Sequence, residues 1–151
     1  VSKLDKKNNS KTSDNRDWKA VKNSQNSGER FTKDKLNEIR DQIAENFCTK
    51  SIKMIDSFLP QKSAKKYAAE LYFWRGVANY QKGSFLQATE DWVESYSRKP
   101  NRRISKYLLY YLAKSLRKTG KAADAKIIEG KISVDYPDFN MKKDYKVWDI
   151  K

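Results

Sequence analysis

The chain has 151 residues, with 33 Lys and Arg against 19 Asp and Glu, a formal net charge of +14, one Cys and no His. That length can bury one modest core but not two sizeable ones. A single Cys excludes an internal disulfide framework and a Cys-rich zinc module, and the lack of His removes the commonest general base and transition-metal ligand. No run approaches the roughly 18 consecutive apolar residues of a membrane-spanning helix. With six Phe, nine Tyr and four Trp, the composition suits a basic domain that binds a partner rather than one that transforms a substrate. No cofactor and no metal are expected.

Residues 1–28 are predicted to be a disordered basic tether. Their apolar residues are Val1, Leu4, Trp18, Ala20 and Val21, ten positions are Asn or Ser, and the segment carries +4. It cannot bury enough surface to offset the entropy of ordering. A short docking motif centred on Trp18 (Asp17–Val21) is the alternative reading. A polar Lys/Asn/Ser leader ahead of a folded domain resembles the tether of a bacterial lipoprotein. That resemblance implies a lipidated Cys upstream of Val1 and a lipid-anchored, periplasmic place in a bacterial cell envelope, with a cytoplasmic location as the alternative.

From Phe31 onward the periodicity is helical. Leu36, Ile39, Ile43 and Phe47 recur at spacings of three and four, the signature of one buried helix face. Ile52, Ile55, Phe58 and Leu59 form a shorter second stripe that Pro60 ends. Ser63 is the expected N-cap of a third helix running through Ala64, Tyr67, Ala68, Leu71, Trp74 and Ala78 to a stop at Gly83. Strand alternation and hairpin-turn signals are missing, so the expected class is all-α.

The chain also repeats itself. Gly83, Ala88 and Pro100 recur as Gly120, Ala125 and Pro137, each displaced by 37 residues. A fixed period of helix–turn–helix units marks a helical solenoid. The domain is therefore divided into a degenerate leading hairpin (29–60), a repeat (63–100), a second repeat (102–137) and a terminal capping helix (138–151). In that cap, Asp138 is the N-cap and Met141, Tyr145 and Trp148 form the apolar positions.

Trp74-Arg75-Gly76, Gly83-Ser84-Phe85-Leu86-Gln87-Ala88, Trp92 and Pro100 together resemble the tetratricopeptide repeat. The resemblance implies a short solenoid of antiparallel helix pairs. A small residue of the first helix (Gly76, then Ala113) packs on an Ala of the second (Ala88, then Ala125), and Phe85 and Trp92 fill the bulky positions. The period exceeds the family's, which is about 34 residues, and the extra residues are expected between Pro100 and Gly120, in a longer loop or a longer first helix. Glu129 stands where Trp92 stands one unit earlier.

In such a solenoid the first helices build a concave face, here presenting Phe73, Val77, Tyr80, Tyr107, Tyr110, Tyr111, Lys114 and Arg117. Rigid aromatics flanked by cations suit a peptide or helix of another protein; the same aromatics packed as inter-repeat core are the alternative. Adjacent helix positions point about 100° apart, so one of Tyr110 and Tyr111 is expected to be exposed. Some family members clamp a partner's C-terminal carboxylates with Lys, Asn and Arg, but Phe73 and Val77 occupy two of those positions, so that clamp is not expected here. The expected function is a non-catalytic scaffold or adaptor, with a homo-oligomer as a further possibility.

Residues 98–131 carry +9 of the net charge. Arg98, Lys99, Arg102, Arg103, Lys106, Lys118 and Lys121 form a basic patch with Lys114 and Arg117. It could meet an acidic partner, an anionic membrane or nucleic acid; a solvated face is the plain alternative, and no nucleic-acid reader motif accompanies it. Enzymatic readings are weaker. Glu90, Asp91 and Glu94 fit an exposed helix start, the Gly residues are scattered singly, and Cys48, with no His to activate it, is expected to be a half-buried structural thiol.

Overall fold

The computed structural model describes residues 29–150, so the predicted tether 1–28 and its Trp18 motif lie outside the described residues. The chain divides after Phe31, and every helix belongs to the unit that begins at Thr32. Those helices are α1 (Lys33–Ala44), α2 (Cys48–Phe58), α3 (Ala68–Gln81), α4 (Phe85–Ser97), α5 (Arg102–Lys118) and α6 (Ala122–Asp135). Short 3-10 helices cover Lys62–Tyr67 and Val147–Asp149. No strand occurs among the described residues, and the fold is all-α.

Thr32 starts α1, its hydroxyl accepting from the Lys35 amide at 3.3 Å. The helix buries Leu36, Ile39 and Ile43, as its spacing predicts, and Gln42 besides. It ends before Phe47, which is 56% exposed rather than part of the stripe. Asn46 takes a left-handed conformation (φ 67°) there. The Asn46 amide donates to the Ile43 carbonyl and the Phe47 amide to that of Gln42, a Schellman close that satisfies two orphan carbonyls.

The same close ends α3 and α5. Gly83 (φ 83°) and Gly120 (φ 81°) hold the left-handed position, with paired bonds from Gly83 and Ser84 and from Gly120 and Lys121. Asn46, Gly83 and Gly120 are therefore one structural position repeated every 37 residues. Ser51, Ala88 and Ala125, five residues further on each time, are all fully buried small residues. The leading hairpin shares the register of the other two, with Asn in the turn because its short polar side chain tolerates the left-handed region.

Two layers follow from these hairpins. α3 touches both α1 and α5, forming a first layer, while α2, α4 and α6 pack against the first-layer helices that flank them. The centre is α3, which buries Leu71, Phe73, Trp74, Gly76, Val77 and Ala78; Trp74 of α3 and Trp92 of α4 are the largest fully buried side chains among the described residues.

One boundary differs from expectation. Ser63 does not cap an α-helix: it lies inside the 3-10 helix Lys62–Tyr67, and regular α-helix begins at Ala68. The extra residues of the second unit appear as helix, since α5 has 17 residues and α3 has 14.

The predicted capping helix 138–151 is also corrected. After Tyr136 and Pro137 the chain is turn and extended backbone up to the 3-10 turn Val147–Asp149. Asn140 breaks the helical course by accepting from the Lys142 amide with its own side chain, the local competition that keeps Asn out of helix interiors.

Candidate functional site: the first-layer face and the segment that lies on it

From Pro137 the C-terminal segment turns back over the first layer. It crosses α5, passes the Val77–Tyr80 stretch of α3 and reaches α1 with its 3-10 turn. Three tyrosine hydroxyls of α5 hold its backbone. Tyr110 donates to the Lys143 carbonyl at 2.6 Å, Tyr111 to that of Tyr145 at 2.8 Å and Tyr107 to that of Asp149 at 3.1 Å. Tyr110 also accepts from Lys114 Nζ at 3.3 Å and from the Tyr145 amide at 3.4 Å.

Aromatic rings complete the seat. Tyr145 stacks on Phe139 at 4.9 Å and meets Tyr107 and Tyr110 edge-on at 5.3 and 5.1 Å. Val147 and Ile150 are buried. Burial first, then the neighbouring Tyr110 and Asp144, pushes the Tyr111 hydroxyl well above the ordinary tyrosine value. Burial likewise raises Tyr80 and Tyr145.

The eight residues predicted for the concave face therefore fare differently. Phe73 and Val77 are buried, as are both Tyr110 (4% exposed) and Tyr111 (6%), which corrects the expectation that one tyrosine faces solvent. The 100° between them is spanned by two coverings: Tyr111 stacks on Trp92 at 5.5 Å, and Tyr110 is roofed by Phe139 and Tyr145. Tyr80, Tyr107 and Lys114 are half-buried. Lys114 sits 3.8 Å from Asp144. Arg117 does not join this face: it is exposed and pairs with Glu129 of α6 at 2.7 Å, and its hydrogen bonds hold the Glu129 carboxyl below the usual range.

The basic residues form no single patch. Arg98, beside Glu94 at 2.7 Å, and Lys99 precede α5. Arg102, Arg103 and Lys106 lie at its start, and Lys118 and Lys121 at its far end, about 24 Å away along a 17-residue helix. Arg102, Arg103 and Lys106 do converge on a cavity of about 560 Å3 with Tyr107, Tyr136 and Phe139. Arg102 lies 4.4 Å from the Tyr136 ring and donates to the Asp135 carbonyl.

Asp91 corrects another expectation. It is buried rather than exposed, and accepts from Arg75 (3.1 and 2.8 Å) and Asn79 (2.9 Å). Arg75 reaches Asp56 of α2 as well, at 2.8 Å, so one guanidinium ties α2, α3 and α4. Burial opposes the Arg75 charge, but the hydrogen bonds to Asp91 and Asp56 outweigh it and raise the pKa. Cys48 is more buried than expected, at 3%; burial pushes its thiol up, opposed by the Gln81 hydrogen bond. Among the described residues no group of His, Cys, Asp or Glu could hold a metal ion, and no helix is long and apolar enough to cross a membrane.

The C-terminal residues Phe139, Tyr145, Val147 and Ile150 were not expected as part of this face. Their sequence signal is a run of bulky residues after Pro137, in which Met141, Tyr145 and Trp148 are spaced as in a capping helix rather than as in a returning segment. Comparison with protein-family models gives no match, and comparison with curated proteins and with solved structures gives none either.

Proposed function

We propose that this protein is a non-catalytic interaction scaffold, a short tetratricopeptide-like solenoid whose first-layer face holds an extended segment of another protein. The carrying observation is the row of tyrosine hydroxyls on α5, which donate to carbonyls of a segment that contains no α-helix. Bonds to the backbone make such a seat tolerant of sequence, while ring and aliphatic sites beside them supply selectivity. Three helix hairpins in one 37-residue register support the solenoid assignment. The Lys-, Asn- and Ser-rich leader supports a tethered setting, with a bacterial envelope as the proposed place.

Panning a random peptide library against the chain tests this function. Enriched peptides should bind a Val147→Asp chain, in which the C-terminal segment no longer competes for the Tyr110 hydroxyl, and should lose affinity when Tyr110→Phe is added with helical circular dichroism retained. Peptides indifferent to Tyr110, or no enrichment at all, would overturn it.

A second reading is favoured by the cavity where Arg102, Arg103 and Lys106 meet: an acidic or anionic ligand at the start of α5. Its sign is binding to nucleic acid or anionic vesicles that weakens steeply with salt and is lost on Arg103→Glu.

A further inference from the structure

The first-layer face is already occupied, and its occupant belongs to the same chain. We infer that residues 138–150 are a displaceable internal ligand, and that the partner is an extended segment that imitates them. Its pattern is an acidic residue, then an aromatic one, with aliphatic residues two and five positions beyond the aromatic. This rests on the first-layer face being the partner-binding face.

The pattern is read from what the seat offers each position. Lys114 faces Asp144 at 3.8 Å. Tyr107 and Tyr110 present their rings to Tyr145. Val147 and Ile150 are buried, whereas Trp148 between them is 63% exposed. The carbonyls of Lys143, Tyr145 and Asp149 take hydroxyl donors whatever side chains they carry. An acidic partner has a further advantage, because residues 138–150 carry three Lys and three Asp while the whole chain stands at +14.

Displaceability follows from how the segment is held. Its internal backbone bonds are short-range turn contacts, such as Asp149 to Lys146 and Ile150 to Val147, so it has a single 3-10 turn and no α-helix to melt before leaving. It also fills the seat incompletely. A cavity of about 370 Å3 remains between Val77, Tyr80, Tyr111 and Lys114 on one side and the segment's Tyr145 and Trp148 on the other. A tethered segment stays bound on modest contacts because its effective concentration is on the order of millimolar. A partner that fills the remaining space can therefore compete with it.

The test uses the intact chain and a fluorescent synthetic peptide of residues 138–150, followed by anisotropy. Val147→Asp in the chain weakens the internal copy and should tighten peptide binding by on the order of tenfold or more. A peptide carrying Asp144→Lys should bind more weakly, and Lys114→Glu in the Val147→Asp chain should restore it. Equal affinity for both chains, or no charge-swap recovery in folded protein, overturns the proposal.

Hydrogen exchange on the unaltered chain decides the matter if Val147→Asp fails to fold. Amides of Asp149 and Ile150 should open well before those of central α5, by subglobal release. If both exchange only with global unfolding, the segment is plain core and the proposal fails. If the 138–150 peptide does not exchange while library peptides still bind through Tyr110, this inference falls and the scaffold function stands.

Discussion

The indole of Trp92 lies directly against the Cα of Gly76. It donates Nε1–H to the Phe73 carbonyl at 3.1 Å, and a Cβ on Gly76 would stand 2.5 Å from that same nitrogen. Glycine is thus required here by the approach of α4, and not by its own backbone angles. The sequence pairs Gly76 with Ala88 as two small residues; the atoms nearest a Cβ at Gly76 belong to Trp92, the largest side chain of α4.

Two glycine substitutions should move stability in opposite directions. Ala is favoured over Gly inside a helix by about 1 kcal/mol, yet Gly76→Ala drives into the indole and should destabilise by about 1–3 kcal/mol net. Gly130→Ala meets nothing within 4 Å in the middle of α6, and should stabilise by about 0.5–1 kcal/mol. Urea unfolding of the two variants gives both signs, and equal signs would refute the contact.

Asp91→Ala should destabilise more than Asp56→Ala. Both carboxylates bind Arg75, but the Asp91 side chain is 8% exposed and that of Asp56 is 54%. Removing Asp91 leaves Arg75 and Asn79 without their shared acceptor, a loss of about 2–3 kcal/mol once the partial exposure of Arg75 is allowed for. The Asp56 change should stay below about 1 kcal/mol. Thermal or urea unfolding checks the order.

Tyr110→Phe should loosen the C-terminal segment more than Tyr111→Phe. The Tyr110 hydroxyl serves Lys143, Lys114 and Tyr145, whereas that of Tyr111 serves the Tyr145 carbonyl. Losses of about 2 and about 1 kcal/mol are expected. The stacked rings remain in both variants, so the difference measured by unfolding isolates the hydroxyls.

Alkaline pH should weaken the fold before its cationic residues are neutral. Tyr111, Tyr80 and Tyr145 are all raised by burial, so their stabilising effect is complete below the unfolded value of about 10. It is lost as the pH climbs from there through the raised values, because only the unfolded chain releases these protons early. A tyrosinate absorbance titration should show a late-ionising group, and Tyr111→Phe should flatten the fall of stability with pH. An unchanged slope would contradict the burial of Tyr111.

The local part of this fold was legible in the sequence. Spacings of three and four located α1, and Gly83 and Gly120 revealed the turns because a left-handed residue is visible as Gly. The same turn at Asn46 carries a weaker letter, so the register of the first hairpin does not stand out, although Asn46 and Ser51 precede Gly83 and Ala88 by the same 37 residues. Ser63 looked like a cap, yet a 3-10 turn that buries Ala64 took its place. The return of the chain after Pro137 is a long-range event. Nothing local to Tyr110 and Tyr111 says that the segment from Phe139 to Tyr145 roofs one of them, and the periodicity of a single helix cannot express it. The basic window likewise looked contiguous in sequence, while α5 sends its two ends apart.

The greater length of α5 over α3 has its own consequence. Measured back from the equivalent turns at Gly83 and Gly120, α5 extends three residues further, about 4.5 Å at the helical rise. That overhang carries Arg102, which grips the Asp135 carbonyl and the Tyr136 ring. It acts as a bracket that catches the chain as it leaves α6 and aims it at the first layer. Trimmed to the length of α3, the helix could still close its hairpin, but residues 137–150 would lose this fixed point of departure.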